Sequence, residues 1–196
     1  MPAGPVSPYV PAPDADAMQK VQHVWDWYFS VAAAAKMEDI IDYRMMGDLT
    51  LIDARPEGRS VWKMKIPRYL CNLNLSLHGG GACVLLDMCT MSALAPLAGP
   101  KFWVFLGGLT RSMNLTYIRD CPVDTEVIID STVIQAGRTM ALIRGEIKSP
   151  DGKIVYVTVD HNKANVGPGP WMMDHEPEPK MGYEPCWRIG DCDSKL

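Results

Sequence analysis

A single carboxylate, Asp87, stands inside the apolar run "GACVLLDMCTMSALAPLAG". The run predicts a helix with no solvent-facing side, built from Ala82, Val84, Leu85, Leu86, Met88, Met91, Ala93 and Leu94. An ionised carboxylate in such surroundings is costly unless it is paired or hydrogen-bonded. Asp87 is therefore a candidate general base. The structural alternative is a carboxylate that caps a neighbouring loop or binds a backbone amide.

Three glycines open this helix: Gly79, Gly80 and Gly81 follow directly after His78. At a helix N-terminus their amides are free to donate, and the helix dipole favours negative charge there. They form a candidate oxyanion hole; the alternative is a tight loop in which side chains do not fit. His78 has either a structural or a catalytic role, and the structural one is favoured.

The spacing of the two candidate groups constrains how they could work together. Gly79 and Asp87 are eight residues apart, which is about 12 Å of helix rise. One substrate carbonyl cannot contact both within one subunit. In a two-fold dimer with the helices side by side, Gly79 of one chain would meet Asp87 of the other, which gives two equal sites at the interface.

The surrounding elements predict an α+β domain. A helix from Asp14 or Asp16 covers "DADAMQKVQHVWDWYFSVAAAA", a shorter helix covers "MEDIIDYRMM", and a hairpin lies in "DLTLIDARPEGRSVWKMKIP". Four strands follow the central helix: "RSMNLTYIR", "TEVIIDSTVIQA", "RTMALIRGEIKS" and "KIVYVTVDHNKAN". A single apolar helix is hidden only if a long antiparallel sheet wraps around it. We expect a flexible proline-rich arm (1–14), this domain (15–166) and an irregular extension (167–196).

Composition excludes several classes of function. The net charge is −4 with no basic stripe, which argues against nucleic-acid binding. No signal peptide is evident, and the 6 cysteines form no Cys-x-x-Cys pair, so we expect reduced thiols in a cytoplasmic protein. We expect no membrane span, because the central helix is too short and carries Asp87. The sequence has no Gly-x-Ser-x-Gly elbow and no metal-binding motif.

The pattern Asn72-x5-His78-Gly79-Gly80-x6-Asp87 resembles the signature of hotdog-fold acyl-CoA thioesterases. The branch is that of the phenylacetate-degradation thioesterase and acyl-CoA thioesterase 13. "MNLTYIRD" and "AGRTMALIRGEIKSPDGKIVYVTVDHNKAN" resemble later strands of the same branch. The resemblance spans about residues 45–165, and neither the arm nor the extension belongs to it.

The resemblance implies a role for each matching residue. Asp87 would be the general base, or the nucleophile, in thioester hydrolysis, and the Gly79 amide would polarise the thioester carbonyl. Asn72 would position the attacking water, and His78 would shape the turn and support the oxyanion site. Relatives carry a serine on the strand after the helix to assist the water, and Thr110 keeps a hydroxyl there.

The resemblance also implies a binding site for the substrate. Gly80, Arg138 and Lys163 are candidates for contacting coenzyme A, although solvated surface charges are favoured for Arg138 and Lys163. The loop "LNLSL" is bulkier than is usual in the family, which would reshape the acyl pocket. The expected substrate is an acyl thioester of coenzyme A or of a carrier protein. The expected assembly is a homodimer or homotetramer, and no cofactor is implied.

Two other functions stay open at this stage. The same fold serves a dehydratase, cyclase or product-release factor acting on a carrier-bound intermediate, and dehydratase relatives pair a histidine with an acid. A non-catalytic acyl-binding or interaction module is the other alternative. Release of free thiol with turnover distinguishes hydrolysis from both.

Overall fold

The structure, a computed structural model, describes residues 14–34, 36–37, 39–99, 102–103 and 107–166. The predicted arm, apart from Asp14, and the predicted C-terminal extension lie outside the described residues. The domain bounds therefore stay predictions.

Two helices precede the sheet, as the sequence predicts. Helix α1 spans Ala17–Ala34 and helix α2 spans Ile41–Asp48. A reciprocal cap starts α1, because the Gln19 amide donates to Asp16 Oδ1 at 2.8 Å and the Asp16 amide donates to Gln19 Oε1 at 2.9 Å. Trp25 of α1 packs on Trp62 of the sheet with ring centroids 4.2 Å apart.

All strand pairs in the six-stranded sheet are antiparallel, and the spatial order is β1-β2-β4-β5-β6-β3. The strands are β1 (Thr50–Arg55), β2 (Arg59–Lys65), β3 (Leu109–Tyr117), β4 (Glu126–Ala136), β5 (Met140–Lys148) and β6 (Val155–Ala164). The predicted hairpin and the four later strands are confirmed. Strand β3 lies at one edge of the sheet, with one backbone side unpaired and most of its side chains exposed.

Helix α3 (Gly79–Ser92) packs against the inner face of this sheet. Its buried side chains share one core with inward-facing residues of four strands, which include Trp62, Val127, Ile129, Ile147, Val157 and Val159. This arrangement is the hotdog fold, and the α+β prediction is confirmed. Gly145 of β5 permits the close approach, because a Cβ atom there would lie 2.7 Å from Thr90 Cγ2 and 3.0 Å from Val159 Cγ1.

Two expectations about the central helix are wrong. The sheet leaves one stripe of α3 half-buried in the single chain: Cys83, Val84, Asp87 and Met91. The helix therefore has a partly open side, since one sheet covers only part of its circumference. The helical segment Gly79–Leu97 is also long enough to span a membrane by length and composition, with 19 residues and a mean hydropathy of 1.5. It is 67% buried inside the domain, as the core helix of a folded domain is.

Substituting Gly145 by alanine tests the contact between helix and sheet. We expect Gly145→Ala to lower the free energy of unfolding by about 1–3 kcal/mol, because the added methyl group displaces α3. Urea denaturation followed by tryptophan fluorescence measures the change. Gly99→Ala is the matched control, since a Cβ there has no neighbour within 4 Å. Equal stability of the two variants would contradict the proposed tight packing.

Candidate active site

The carboxylate of Asp87 is held by a hydroxyl on the edge strand. Thr110 Oγ1 of β3 donates to Asp87 Oδ1 at 2.7 Å. The Asp87 side chain is 40% exposed, so it is accessible to water in the single chain. Asp87 and Thr110, which were predicted separately from the sequence, are therefore in contact. The Asp87 carboxylate lies on the half-buried stripe of α3.

Two buried residues of β6 stand behind this pair. His161 Nε2 lies 3.0 Å from Thr110 Oγ1 and 3.4 Å from Asp87 Oδ1. Lys163 Nζ donates to Thr110 Oγ1 at 3.3 Å and lies 3.9 Å from Asp87 Oδ1. Residues 157, 159, 161 and 163 alternate onto the inner face, so β6 directs both polar side chains at α3.

Burial changes the acid–base behaviour of both groups. Loss of solvation lowers the pKa of Lys163, and the nearby Asp87 carboxylate opposes that shift. Loss of solvation and then the charge of Lys163 lower the pKa of His161 to about 4, again opposed by Asp87. His161 is therefore neutral near pH 7, while Lys163 provides the positive charge beside Asp87.

The surface alternative favoured for Lys163 is wrong. Its side chain is 3% exposed, and its amine faces Asp87. A group in this position cannot reach the phosphates of coenzyme A in solvent. Arg138, in contrast, is exposed in the turn between β4 and β5, and its carbonyl accepts from Asn165 Nδ2 at 2.8 Å.

At the other end of α3, His78 caps the helix. His78 Nδ1 accepts from the Gly80 amide at 2.9 Å, so the Gly80 amide is occupied. Within the described part of the chain, the Gly79 amide has no acceptor, and the Gly79 carbonyl accepts from Tyr117 Oη at 2.9 Å. The Gly79 amide is thus the free donor of the pair at this helix start.

Asn72 organises the loop that leads to this helix start. Its Oδ1 accepts from the amides of Asn74 at 2.9 Å and Ser76 at 3.3 Å, which leaves Nδ2 as a donor without a partner among the described residues. The unusual loop residues Leu73 and Leu75 point outward, and Leu73 is 102% exposed. Within one chain, no contact joins Asn72 or Gly79 to Asp87 in the described structure.

A cavity of about 310 Å³ opens beside the Gly79 end of α3. Its lining includes Leu77, Tyr117, Ile118, Arg119, Asp120, Cys121 and Val157. The volume is at the lower end of the range that suits small-molecule ligands. Arg119 supplies a cation at this position that the sequence analysis did not single out.

His161 and its partner Thr90 were not predicted from the sequence; Thr90 Oγ1 lies 2.6 Å from His161 Nδ1. A signal for His161 was present, because the inward alternation of Val157 and Val159 continues onto it. No local pattern signals Thr90, since its partner lies 71 residues away on another element.

The chain is similar in sequence to known thioesterases. Residues 76–156 match the model of the thioesterase superfamily. Human acyl-coenzyme A thioesterase 13 is 28% identical over 114 residues, which are 57% of this chain and 76% of that protein.

Solved structures share the fold. Zebrafish thioesterase superfamily member 2 superposes with a TM-score of 0.59 at 22% identity, covering 72% of this chain and 98% of that one. A hypothetical thioesterase protein from Streptococcus pneumoniae, solved with coenzyme A, gives a TM-score of 0.55 at 18% identity, covering 72% of this chain and 95% of that one.

The buried imidazole predicts a pH-dependent stability. Because the native pKa of His161 is about 4 and the unfolded value is 6.5, unfolding takes up a proton between these pH values. The stabilising contribution is fully present above pH 6.5 and is lost as the pH falls to about 4. Between pH 6.5 and pH 4, we expect the free energy of unfolding of His161→Gln to fall by on the order of 2–3 kcal/mol less than that of wild type.

Denaturant unfolding at several pH values between 4 and 7 measures the effect. Asn162→Gln, at the neighbouring outward-facing position of β6, changes no titratable group and is the matched control, which should follow the pH dependence of wild type. Parallel curves for wild type and His161→Gln would show that the native ring titrates normally.

Proposed function

We propose that this chain, a hotdog-fold member of the thioesterase superfamily, hydrolyses the thioester bond of an acyl-coenzyme A or an acyl-carrier thioester. The observation that carries the proposal is the water-accessible Asp87 carboxylate, which Thr110 orients and Lys163 accompanies as a buried charge. The similarity to human acyl-coenzyme A thioesterase 13 and the coenzyme A in the S. pneumoniae structure favour coenzyme A as the thiol.

Asp87 acts as the general base in this proposal. It takes a proton from water as the water oxygen attacks the thioester carbon, and the carbonyl oxygen becomes an oxyanion. The free Gly79 amide donates to that oxyanion. Collapse of the tetrahedral intermediate breaks the carbon–sulfur bond, and the thiolate leaves with a proton from the site or from solvent.

A two-fold dimer brings these groups together. An axis that places Asp87 against the partner's Gly79 must pass the midpoint of the two residues, which is Cys83. Cys83 lies on the half-buried stripe of α3, so the helix is open at the point where the axis needs it. Strand β3 gives the same axis: Thr110 contacts Asp87 and Tyr117 contacts Gly79. Because the bulge between Thr110 and Ser112 adds one residue, the midpoint of these two positions in the pairing lies at Asn114.

Edge-to-edge pairing of β3 with the partner's β3 completes the sheet. An unpaired, exposed edge strand is a favourable template for another strand. In this antiparallel pairing, Thr110 faces the partner's Tyr117, which sets the base of one chain beside the oxyanion donor of the other. The half-open stripe of α3 becomes covered at the same time.

The remaining groups suit a coenzyme A thioester in this assembly. The free Asn72 Nδ2 can donate to the attacking water. Arg119 lines the cavity at the Gly79 end and Arg138 is exposed in the turn between β4 and β5, so both remain candidates to pair with phosphates. Lys163 is buried beside Asp87, so we do not propose that it binds a phosphate.

The dehydratase alternative pairs a histidine with an acid. His78 does not suit the role of base, because its Nδ1 accepts from the Gly80 amide and the neutral ring then carries its hydrogen on Nε2, which leaves no free lone pair. The histidine beside Asp87 is His161, whose side chain is fully buried behind the carboxylate and Thr110. A substrate cannot reach it, so hydrolysis fits the geometry better.

Thiol release from short, long and aromatic acyl-CoAs tests the proposal. We expect wild type to release coenzyme A and Asp87→Asn to lose roughly 10²- to 10⁴-fold in kcat, because the base is removed. Asp160→Asn is the matched control, since Asp160 pairs with Arg144 on the exposed side of the same sheet. Full activity of Asp87→Asn would exclude the assigned base, and an inactive wild type would redirect the search to carrier-bound substrates.

Subunit complementation tests the composite site. Gly79→Pro removes the amide hydrogen at the first helical position, which tolerates proline, and His78 already has the extended backbone (ψ 142) that precedes proline. We expect this variant to lose about 10²- to 10³-fold in kcat. Gly79→Ala keeps the N–H and is the matched control.

A purified heterodimer of Gly79→Pro and Asp87→Asn chains contains one intact site in the composite arrangement, so it should recover about half of the wild-type rate. If each site were built within one chain, both sites would be defective and the heterodimer would stay as inactive as its parents.

A further inference from the structure

We infer that His161 receives, through the Thr110 hydroxyl, the proton that Asp87 takes from the attacking water. The inference deepens the proposed function and rests on Asp87 being the base. It is carried by an unbroken line of contacts from Asp87 through Thr110 and His161 to Thr90. His161 touches no substrate, so it is a positioning and proton-holding residue.

The inner end of this line fixes the tautomer of His161. Thr90 Oγ1 lies 2.6 Å from the Leu86 carbonyl oxygen, 3.2 Å from the Asp87 carbonyl oxygen and 2.6 Å from His161 Nδ1. Carbonyl oxygens only accept, so the single hydroxyl hydrogen of Thr90 points to them. Thr90 then accepts from His161, and Nδ1 carries the hydrogen.

The outer end of the line leaves a place for one further proton. Thr110 also has a single hydrogen, yet its oxygen contacts both Asp87 Oδ1 and His161 Nε2. If Thr110 donates to an ionised Asp87, the second contact is a hydrogen bond only when Nε2 is protonated. If Thr110 donates to Nε2, the first contact is a hydrogen bond only when Asp87 is protonated. The line therefore accommodates one proton, on either end.

This proton can move by two short transfers. Asp87 takes a proton from water as the carbon–oxygen bond forms. Asp87 passes that proton to Thr110 Oγ1, and the hydroxyl hydrogen of Thr110 moves to His161 Nε2. Asp87 is ionised again, Thr110 is a hydroxyl again, and His161 carries the positive charge. The reverse transfers return the proton to the site, where it can neutralise the departing thiolate.

The groups facing His161 make its protonated state short-lived. Burial and the charge of Lys163 oppose protonation of the ring, while Asp87 stabilises it, and these are the charged groups that act on the ring in the described part of the chain. Because burial and Lys163 outweigh Asp87, the pKa of His161 is lowered to about 4. A protonated His161 therefore gives the proton up again near pH 7, as a group that holds it only transiently must.

Kinetics in mixtures of H₂O and D₂O test the relay. We expect single-turnover hydrolysis by wild type to depend on the deuterium fraction along a curve, because more than one proton moves. His161→Gln can donate to Thr110 but cannot accept a proton. We expect it and Thr110→Val to give straight lines, with kcat 10- to 100-fold lower and KM within twofold of wild type. Thr110→Ser keeps the hydroxyl that Thr110→Val lacks, so its rate should depend on the deuterium fraction along a curve, as that of wild type does.

The ring itself gives a readout that needs no substrate. ¹⁵N spectra of the resting protein, assigned by comparison with His161→Gln, should show the neutral ring protonated at Nδ1. A ring protonated at Nε2, or a curve in His161→Gln equal to that of wild type, overturns the relay whatever the activity. Absence of thiol release from every thioester, with Nδ1 protonated, contradicts the proposed function and still supports the assigned hydrogen positions.

Discussion

The ammonium group of Lys163 is the charge that the interior of this domain has to accommodate. Its side chain is 3% exposed, and the nearest carboxylate is Asp87 at 3.9 Å. A buried charge without a partner would cost several kcal/mol, so the register of β6 against α3 is tied to this pair. The same register places His161 beside Thr110, and Asp87 stays on the half-buried stripe of α3. One electrostatic requirement thus orders the inner half of the candidate site.

The elements themselves could be predicted from local patterns. The alternation in β4 and β6 and the apolar run of α3 indicated a sheet around a helix, and the start of α1 was expected at Asp14 or Asp16, close to its observed start at Ala17. These signals succeed because they reflect burial along one segment at a time. A sheet packed around a single helix follows from these patterns, and the hotdog fold itself was implied by the family resemblance.

The environment of Asp87 could not be predicted in the same way. The apolar run indicated burial on all sides, yet one sheet covers only part of a helix, and Asp87 lies on the uncovered stripe. The surface alternative for Lys163 failed for a related reason, since a lysine near a strand end is usually solvated. Which charges face each other across α3, β3 and β6 depends on packing between segments that are far apart in sequence.

The two halves of the candidate site differ in what they require. The base half is complete within one chain, because Asp87, Thr110, His161 and Lys163 contact each other there. The oxyanion half is displaced by eight residues along the same rigid helix, and no rotation of side chains closes that separation. An oxyanion donor for the base therefore has to come from outside its own helix. In the proposed two-fold assembly, each chain supplies this donor to the other, and the surface left open on α3 and β3 is the surface across which the exchange occurs.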